Sequence, residues 1–515
     1  MPHELRLRFE RLADKDAPFD TPIPVTVHYD GQDTNKIQFL NPLSDQDLAD
    51  LRWYIEAYCQ WPVGPDYDRA HDIEKRLPGM GRTLFNSIFK TSADAMGLFK
   101  DFLNDREADS MITIDTMEPR ILRLPWELLA EEGGYMFSKN PAVNIRRRMH
   151  QTKKTQIKNF ELPVRILMVI SRPKDAGFID PRSSARPLLD AVDQLDDRAV
   201  VEFLRPPTLA ALSRRLHDTK LPIVHVVHFD GHGVYDQKAG LGVLLFESEN
   251  YERHLVDSDK LGTLLNETGI PLMILDACQS GQPDESNPFG SVASRLIESG
   301  VGGVVAMNYS VLVETSKRLV RHFYQGLAEG RTVGSALDAA RMELLADSGR
   351  VKLYRPGNGE ETIDLQDWFV PALYQQSQEI RPFLPQAAQP KAGEKRATFV
   401  PNEPNRGGFP PEPRHGFRGR SRELLDLERS LNKNCIEIIH GFGGQGKTAL
   451  GAYAARWLVR TGRFDRAVFV SFESGAGIDA ALAEMGTALV GKDFKIQEGD
   501  PLKAIEEELA KIPTL

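Results

Sequence analysis

Two stretches decide the fold: Ile223-Val224-His225-Val226-Val227-His228-Phe229-Asp230-Gly231-His232-Gly233 and Leu272-Met273-Ile274-Leu275-Asp276-Ala277-Cys278-Gln279-Ser280-Gly281. Each opens with a short apolar run of the length a buried strand needs, and each ends in a polar, glycine-bearing tail. Open α/β sheets place ligands just beyond the carboxyl ends of their strands. The two tails are therefore expected to face one crevice, with a histidine on one and a cysteine on the other.

A cysteine thiol, with an ordinary pKa of about 8.5, is mostly protonated near neutrality and a poor nucleophile by itself. A neighbouring imidazole stabilises the thiolate or takes its proton during attack, and later protonates the leaving amine. This chemistry makes His232 the base and Cys278 the nucleophile. Gly233 and Cys278 offer backbone amides for an oxyanion hole, worth about 3 to 4 kcal/mol per donor. A lone cysteine ending an apolar strand is usually a packed thiol, but Cys278 follows His232 by about 45 residues and lies in an Ala-Cys-Gln tripeptide, close to the interval and signature of caspase-type nucleophiles. His225 and His228 are assigned to structural hydrogen bonding.

His228-Phe229-Asp230-Gly231-His232-Gly233 and Leu275-Asp276-Ala277-Cys278-Gln279-Ser280-Gly281 resemble the CHAT domain, a branch of the caspase, separase and metacaspase clan of cysteine proteases. Leu124-Pro125-Trp126-Glu127-Leu128-Leu129, the strand from Pro163 to Pro173, Val301-Gly302-Gly303-Val304-Val305-Ala306 and Asp367-Trp368-Phe369-Val370-Pro371-Ala372-Leu373-Tyr374 look like further landmarks of that family. The likeness spans roughly residues 120 to 375. It implies a caspase-like, mainly parallel sheet flanked by helices, and an endopeptidase acting on protein substrates through His232 and Cys278. Asp276 stands two residues before the nucleophile, where metacaspases carry an S1-pocket acid. The resemblance thus implies cleavage after Arg or Lys; the plainer alternative is that Asp276 caps a turn.

Strand and helix patterns alternate around the two motifs. Arg165 to Ile170 reads as a strand, Pro187 to Leu195 as a helix, Val200 to Leu204 as a strand, and Thr208 as the cap of a helix ending near His217. A hairpin-like run over Leu241 to Phe246, the Leu261 to Leu265 helix, the Ser291 to Ser299 helix, a strand over Val304 to Met307, and helices over Ser316 to Leu327 and Thr332 to Ala346 complete the series, in which parallel βαβ units are expected. Four segments are expected: an N-terminal α/β region over 1–155, the caspase-like domain over 156–376, a Pro-rich linker over 377–412, and a partial P-loop NTPase domain over 413–515. The first holds no catalytic constellation and, by analogy with separase-like enzymes, is expected to be a pseudo-protease lobe.

In the last segment, Gly441-Phe442-Gly443-Gly444-Gln445-Gly446-Lys447-Thr448 satisfies the Walker A pattern. Gly441, Gly443, Gly444 and Gly446 let backbone amides cradle phosphate, Lys447 reaches the β and γ phosphates, and the Thr448 hydroxyl binds Mg²⁺. A strand over Ile436 to Ile439 and a helix over Ala449 to Leu458 are expected on either side, with Val468 to Phe472 as the next strand. Cys59 and Cys435 are expected to be packed thiols. Phe417-Arg418-Gly419-Arg420-Ser421-Arg422-Glu423-Leu424-Leu425 resembles the entry motif of STAND ATPases, including the NB-ARC group, which implies ATP or ADP with Mg²⁺ as ligand and Arg420 beside it. No Walker B acid is identifiable before Leu515, and Mg²⁺-dependent hydrolysis needs one, so the sequence is expected to be part of a longer protein.

Net charge is −9 over 515 residues, which gives no electrostatic footprint for nucleic acid or an anionic membrane. Arg146-Arg147-Arg148 is expected to form a solvated face or docking patch. Three scattered cysteines suit neither a disulfide framework nor a zinc site. With no signal-like apolar segment, a cytoplasmic protein is expected. The two resemblances together imply a protease switched by nucleotide exchange and by self-association of the STAND region on an unknown activating ligand, in a bacterial immune or cell-death response. The alternative is a nucleotide-gated signalling scaffold with a catalytically silent caspase-like domain.

Overall fold

In the computed structural model the described residues are 3–12, 21–107, 109–149, 160–236, 241–276, 288–355, 359–376, 380–383, 405–414, 416–472, 477–491, 494 and 500–515. They form two compact units, Met1–Ile179 with Ser183–Lys391 and Asp180–Arg182 with Ala392–Leu515.

The first unit opens with β1 (Glu4–Phe9), β2 (Ile23–Tyr29), β3 (Gln32–Asp33), β4 (Ile37–Phe39) and β5 (Met111–Asp115), a short hairpin of β6 (Ala130–Glu131) and β7 (Gly134–Tyr135), and β8 (Asn144–Arg148). It continues with β9 (Val164–Ile170), β10 (Ala199–Phe203), β11 (Val226–Asp230), β12 (His232–Asp236), β13 (Leu241–Glu247), β14 (Arg253–Asp257), β15 (Leu272–Asp276) and β16 (Gly303–Met307), then a hairpin of β17 (Gly349–Arg355) and β18 (Gly359–Asp364), and finally β19 (Pro371–Gln375). Twelve of these strands share one sheet, in the order β10-β9-β11-β15-β16-β19-β8-β5-β1-β2-β3 with β4 on β2. All pairings from β10 to β16 are parallel, which demands cover on both faces. Met168, Val226, Ile274 and Val305 face one core with helices Val313–Ala328 and Val333–Ala346. Leu167, Val227, Met273 and Val304 face the other, against helices Leu209–His217, Ser258–Glu267 and Pro288–Glu298. The fold is thus α/β, with a mainly parallel sheet flanked by helices, as the family resemblance implied.

The chain order crosses over at β9, whose two neighbours are β10 and β11. The crevice beyond the carboxyl ends of β9 and β11 is a topological switch point, the place where such sheets hold ligands.

Residues 1–155 and 156–376 share this sheet, because β8 pairs with β19 as well as with β5. Helix Asp45–Glu56 starts at a reciprocal capping box formed by Ser44 and Asp47. Arg146, Arg147 and Arg148 correct an expectation: they are not a solvated patch but are buried in β8. Burial alone would raise the Glu4 carboxyl, yet the guanidiniums of Arg146 and Arg148 hold it down at about 2. Arg146 also donates to Thr113 Oγ1 (2.9 Å) and to the Gln376 carbonyl (2.7 Å). A run of like charge enters a core only when such partners arrive from elsewhere in the chain. Cys59 packs half-buried against the core, and burial pushes its thiol up to about 12.

In the second unit, helix Lys447–Arg460 begins directly at the Walker lysine, and a short parallel pair joins β20 (Asn405–Gly407) to β21 (Ala467–Phe469). β20 falls within the stretch expected to be linker; of the rest, 377–379 and 384–404 lie outside the described residues. The strand expected over Ile436 to Ile439 is not formed. Ile436 and Ile438 are 79% and 77% exposed and have no ladder partner among the described residues, because the β20 and β21 pairing does not extend to them. Cys435, expected to pack, is exposed with them. No helix of the described residues is long and apolar enough to cross a membrane.

Candidate active site

Strands β11 and β15 are adjacent and parallel, with Asp230 opposite Asp276. His232 and Cys278 are therefore each two positions along the chain from one of two opposed aspartates on adjacent strands. Cys278 itself, with Ala277, Gln279, Ser280 and Gly281, lies outside the described residues.

After β11 the chain turns at Gly231, where an added Cβ would come within 2.7 Å of the Phe229 ring and 3.3 Å of Ser171 Cβ, so a larger residue would have to displace that buried ring. It then enters β12, the first strand of a small antiparallel sheet with β13 and β14, in which His232 stands opposite Leu245. Gly233 is the next, half-buried residue of β12.

His232 is buried, and its Nε2 lies 2.6 Å from the carbonyl oxygen of Gly177. A carbonyl only accepts, so Nε2 carries the proton and Nδ1 is the basic nitrogen. Burial pushes the imidazole below its ordinary pKa; the Gly177 hydrogen bond opposes this, and the Arg172 guanidinium reinforces it. Neutral His232 at pH 7 is the form a general base needs.

Asp230 is buried against Arg172, whose Nη2 bonds its carboxylate. Burial pushes that carboxyl up, and Arg172 opposes the rise. Asp276 is also buried: its Oδ2 accepts from Ser316 Oγ (3.1 Å) and lies 3.8 Å from His228 Nε2. His228 in turn contacts the Tyr324 hydroxyl through Nδ1 at 3.2 Å. His225 is structural, its Nδ1 accepting from the Arg165 amide (3.1 Å), and burial lowers it to about 4. Asp257, which had no role in the sequence, caps the Ser258–Glu267 helix through the amides of Asp259 and Lys260. Sequence reasoning missed the Gly177 carbonyl, because a backbone acceptor leaves no residue-type signal.

In the second unit, Gly441, Gly444 and Gly446 have φ of +152°, +75° and +78°, values that favour glycine. The space where a Cβ would sit at Gly443, Gly444 and Gly446 is open. Arg420 donates through Nη2 to the Gln445 carbonyl at 2.6 Å, and Lys447 Nζ to the Phe442 carbonyl at 2.8 Å. An exposed glycine loop at a helix N-terminus, with a lysine and an arginine against it, fits a phosphate group. Thr448 follows as the second residue of the helix.

Sheet order defines an α/β protein built on a mainly parallel sheet. The CHAT domain model matches residues 79–379, more than half of the chain. The chain belongs to the CHAT domain family.

Solved structures similar to this chain include the Saccharomyces cerevisiae separase-securin complex (10% identity, TM-score 0.38, 73% of this chain and 30% of that chain). Gingipain R, the Arg specific cysteine proteinase RgpB of Porphyromonas gingivalis, is another (10% identity, TM-score 0.32, 62% of this chain and 76% of that chain). The Drosophila initiator caspase Dronc is a third (10% identity, TM-score 0.25, 45% of this chain and 95% of that chain). The match therefore spans about 30% of the length of the separase chain. No curated protein matches the sequence.

Proposed function

We propose that this chain is a cysteine endopeptidase in which His232 is the general base and Cys278 the nucleophile. The observation that carries the proposal is the β11 and β15 register, which starts the histidine and cysteine segments from paired positions on adjacent strands. His232 Nδ1 takes the thiol proton, the thiolate attacks the scissile carbonyl, and the imidazolium then protonates the leaving amine. The Gly233 and Cys278 amides receive the oxyanion. Asp276, buried beside the start of the cysteine segment, is the acid that selects Arg or Lys at P1.

The test is hydrolysis of fluorogenic peptides bearing Arg, Lys, Leu or Asp at P1, by the wild type and by Cys278→Ala. Cleavage of the basic peptides by wild type alone is the expected result. Cleavage after Leu or Asp would remove the role given to Asp276. Equal rates for wild type and Cys278→Ala would remove the nucleophile.

The second unit is proposed as the nucleotide-responsive part of a STAND-type switch, which would license the protease in an immune or cell-death response through self-association. Gly441, Gly443, Gly444, Gly446 and Lys447 would hold the phosphates of ATP or ADP, Thr448 the Mg²⁺, and Arg420 would lie alongside. Bound nucleotide would supply regulation, with no part in peptide cleavage. Lys447→Ala is expected to weaken binding of a fluorescent ATP analogue at least tenfold, measured by anisotropy. Unchanged affinity would exclude this site.

A further inference from the structure

The loop from Ser171 to Ile179 carries the carbonyl that sets the His232 tautomer, and one side chain ties that loop down. Arg172 is buried. Its Nε donates to the Ile179 carbonyl (3.0 Å), and its Nη1 to the carbonyls of Ser171 (2.9 Å) and Asp230 (2.8 Å). Its Nη2 bonds the Asp230 carboxylate, and its backbone amide donates to Glu247 Oε1 at 2.8 Å. One guanidinium thus joins both ends of the loop to the end of β11, two residues before His232. A second tie is peripheral: Asp175 accepts from the Arg253 amide (2.7 Å) and pairs with Arg253 Nε (3.1 Å) on β14, while the Lys174 amide donates to the Tyr251 carbonyl at 2.7 Å. The loop is therefore fastened to β11 and to the small sheet that begins with His232, and Gly177 lies between the fastenings.

We infer that Arg172 is a positioning residue for His232: by closing the 171–179 loop onto β11 it holds the Gly177 carbonyl at Nε2 and keeps Nδ1 as the basic nitrogen. The guanidinium is suited to this because its planar fork reaches several fixed acceptors at once, which an ammonium cannot do. The inference deepens the peptidase proposal and rests on His232 as its base, but its main readout does not need activity. Asp175 and its partner Arg253 play the same part from the exposed side, and loosening them spares the buried Arg172 cluster.

The test is ¹⁵N NMR of the full chain labelled at histidine, with the His232 ring signals assigned by difference from His232→Gln. Wild type is expected to show one tautomer, protonated at Nε2. In Arg172→Lys and in Asp175→Ala the two ring nitrogens are expected to move toward a common averaged shift, and kcat toward peptides to fall about tenfold or more with KM little changed. Asp175→Ala keeps the test decisive if Arg172→Lys fails to fold. A shifted tautomer in a chain that cleaves no peptide would uphold the positioning role and sink the peptidase proposal. Retention of the Nε2-protonated tautomer in the folded variants would overturn the inference.

Discussion

His232→Ala is expected to lower kcat/KM for peptide hydrolysis by about 10²- to 10⁴-fold, the range that a positioned general base contributes. The loss should appear in kcat, because the imidazole acts on the thiol proton and need not bind the peptide. A His232→Ala, Cys278→Ala double variant should be little worse than the poorer single variant, since residues that act as one unit lose their effect together. The wild-type pH profile supplies an independent check. Burial pushes the His232 pKa down and only the neutral ring accepts a proton, so the acid limb of kcat/KM should fall below about pH 6.5, the ordinary imidazole value. A limb at or above that value, or a His232→Ala variant with near wild-type kcat, would remove His232 from the chemistry.

Arg147→Met is expected to destabilise the first unit by about 3 to 5 kcal/mol, measured by urea unfolding, the cost of breaking a buried ion pair by removing one partner. Both side chains of the Arg147 and Glu127 pair are 0% exposed. Arg147 spends its remaining donors on the carbonyls of Leu122 (3.0 Å) and Leu124 (2.9 Å), and Arg341 stands 3.7 Å from Glu127. Removing Arg147 therefore leaves the buried Glu127 carboxyl facing Arg341 at 3.7 Å and takes the donors from two carbonyls that pack against β8. Adding Glu127→Gln should restore part of the loss by removing the carboxylate charge. A change within about 0.5 kcal/mol for Arg147→Met, the range of ordinary surface substitutions, would show that the pair carries little.

Much of the fold was legible because it is written locally. The strands at Val164, Ala199, Leu272 and Gly303 were placed to within about one residue, since each is an apolar run between polar turns. Thr208 and Thr332 were read as starting helices, and both cap them through their hydroxyls. The run Ile436 to Ile439 failed by the same logic: its pattern is that of a strand, but a pattern states only a preference, and a strand needs a neighbour whose ladder reaches it.

By itself the sequence determined the alternation of strands and helices, the two polar tails that end their apolar runs, and the glycine loop ahead of Lys447, because period, turn chemistry and spacing are properties of neighbouring residues. Tertiary structure alone decided that Arg146 to Arg148 are interior, that Asp230 and Asp276 are opposed, and that the Gly177 carbonyl chooses the nitrogen His232 uses as base. Each of these depends on a partner remote in the chain, such as Glu4, 142 positions before Arg146, or on a backbone oxygen that every residue possesses. Burying a charge or fixing a tautomer is favourable only once such a partner is in place, and folding is what brings it there.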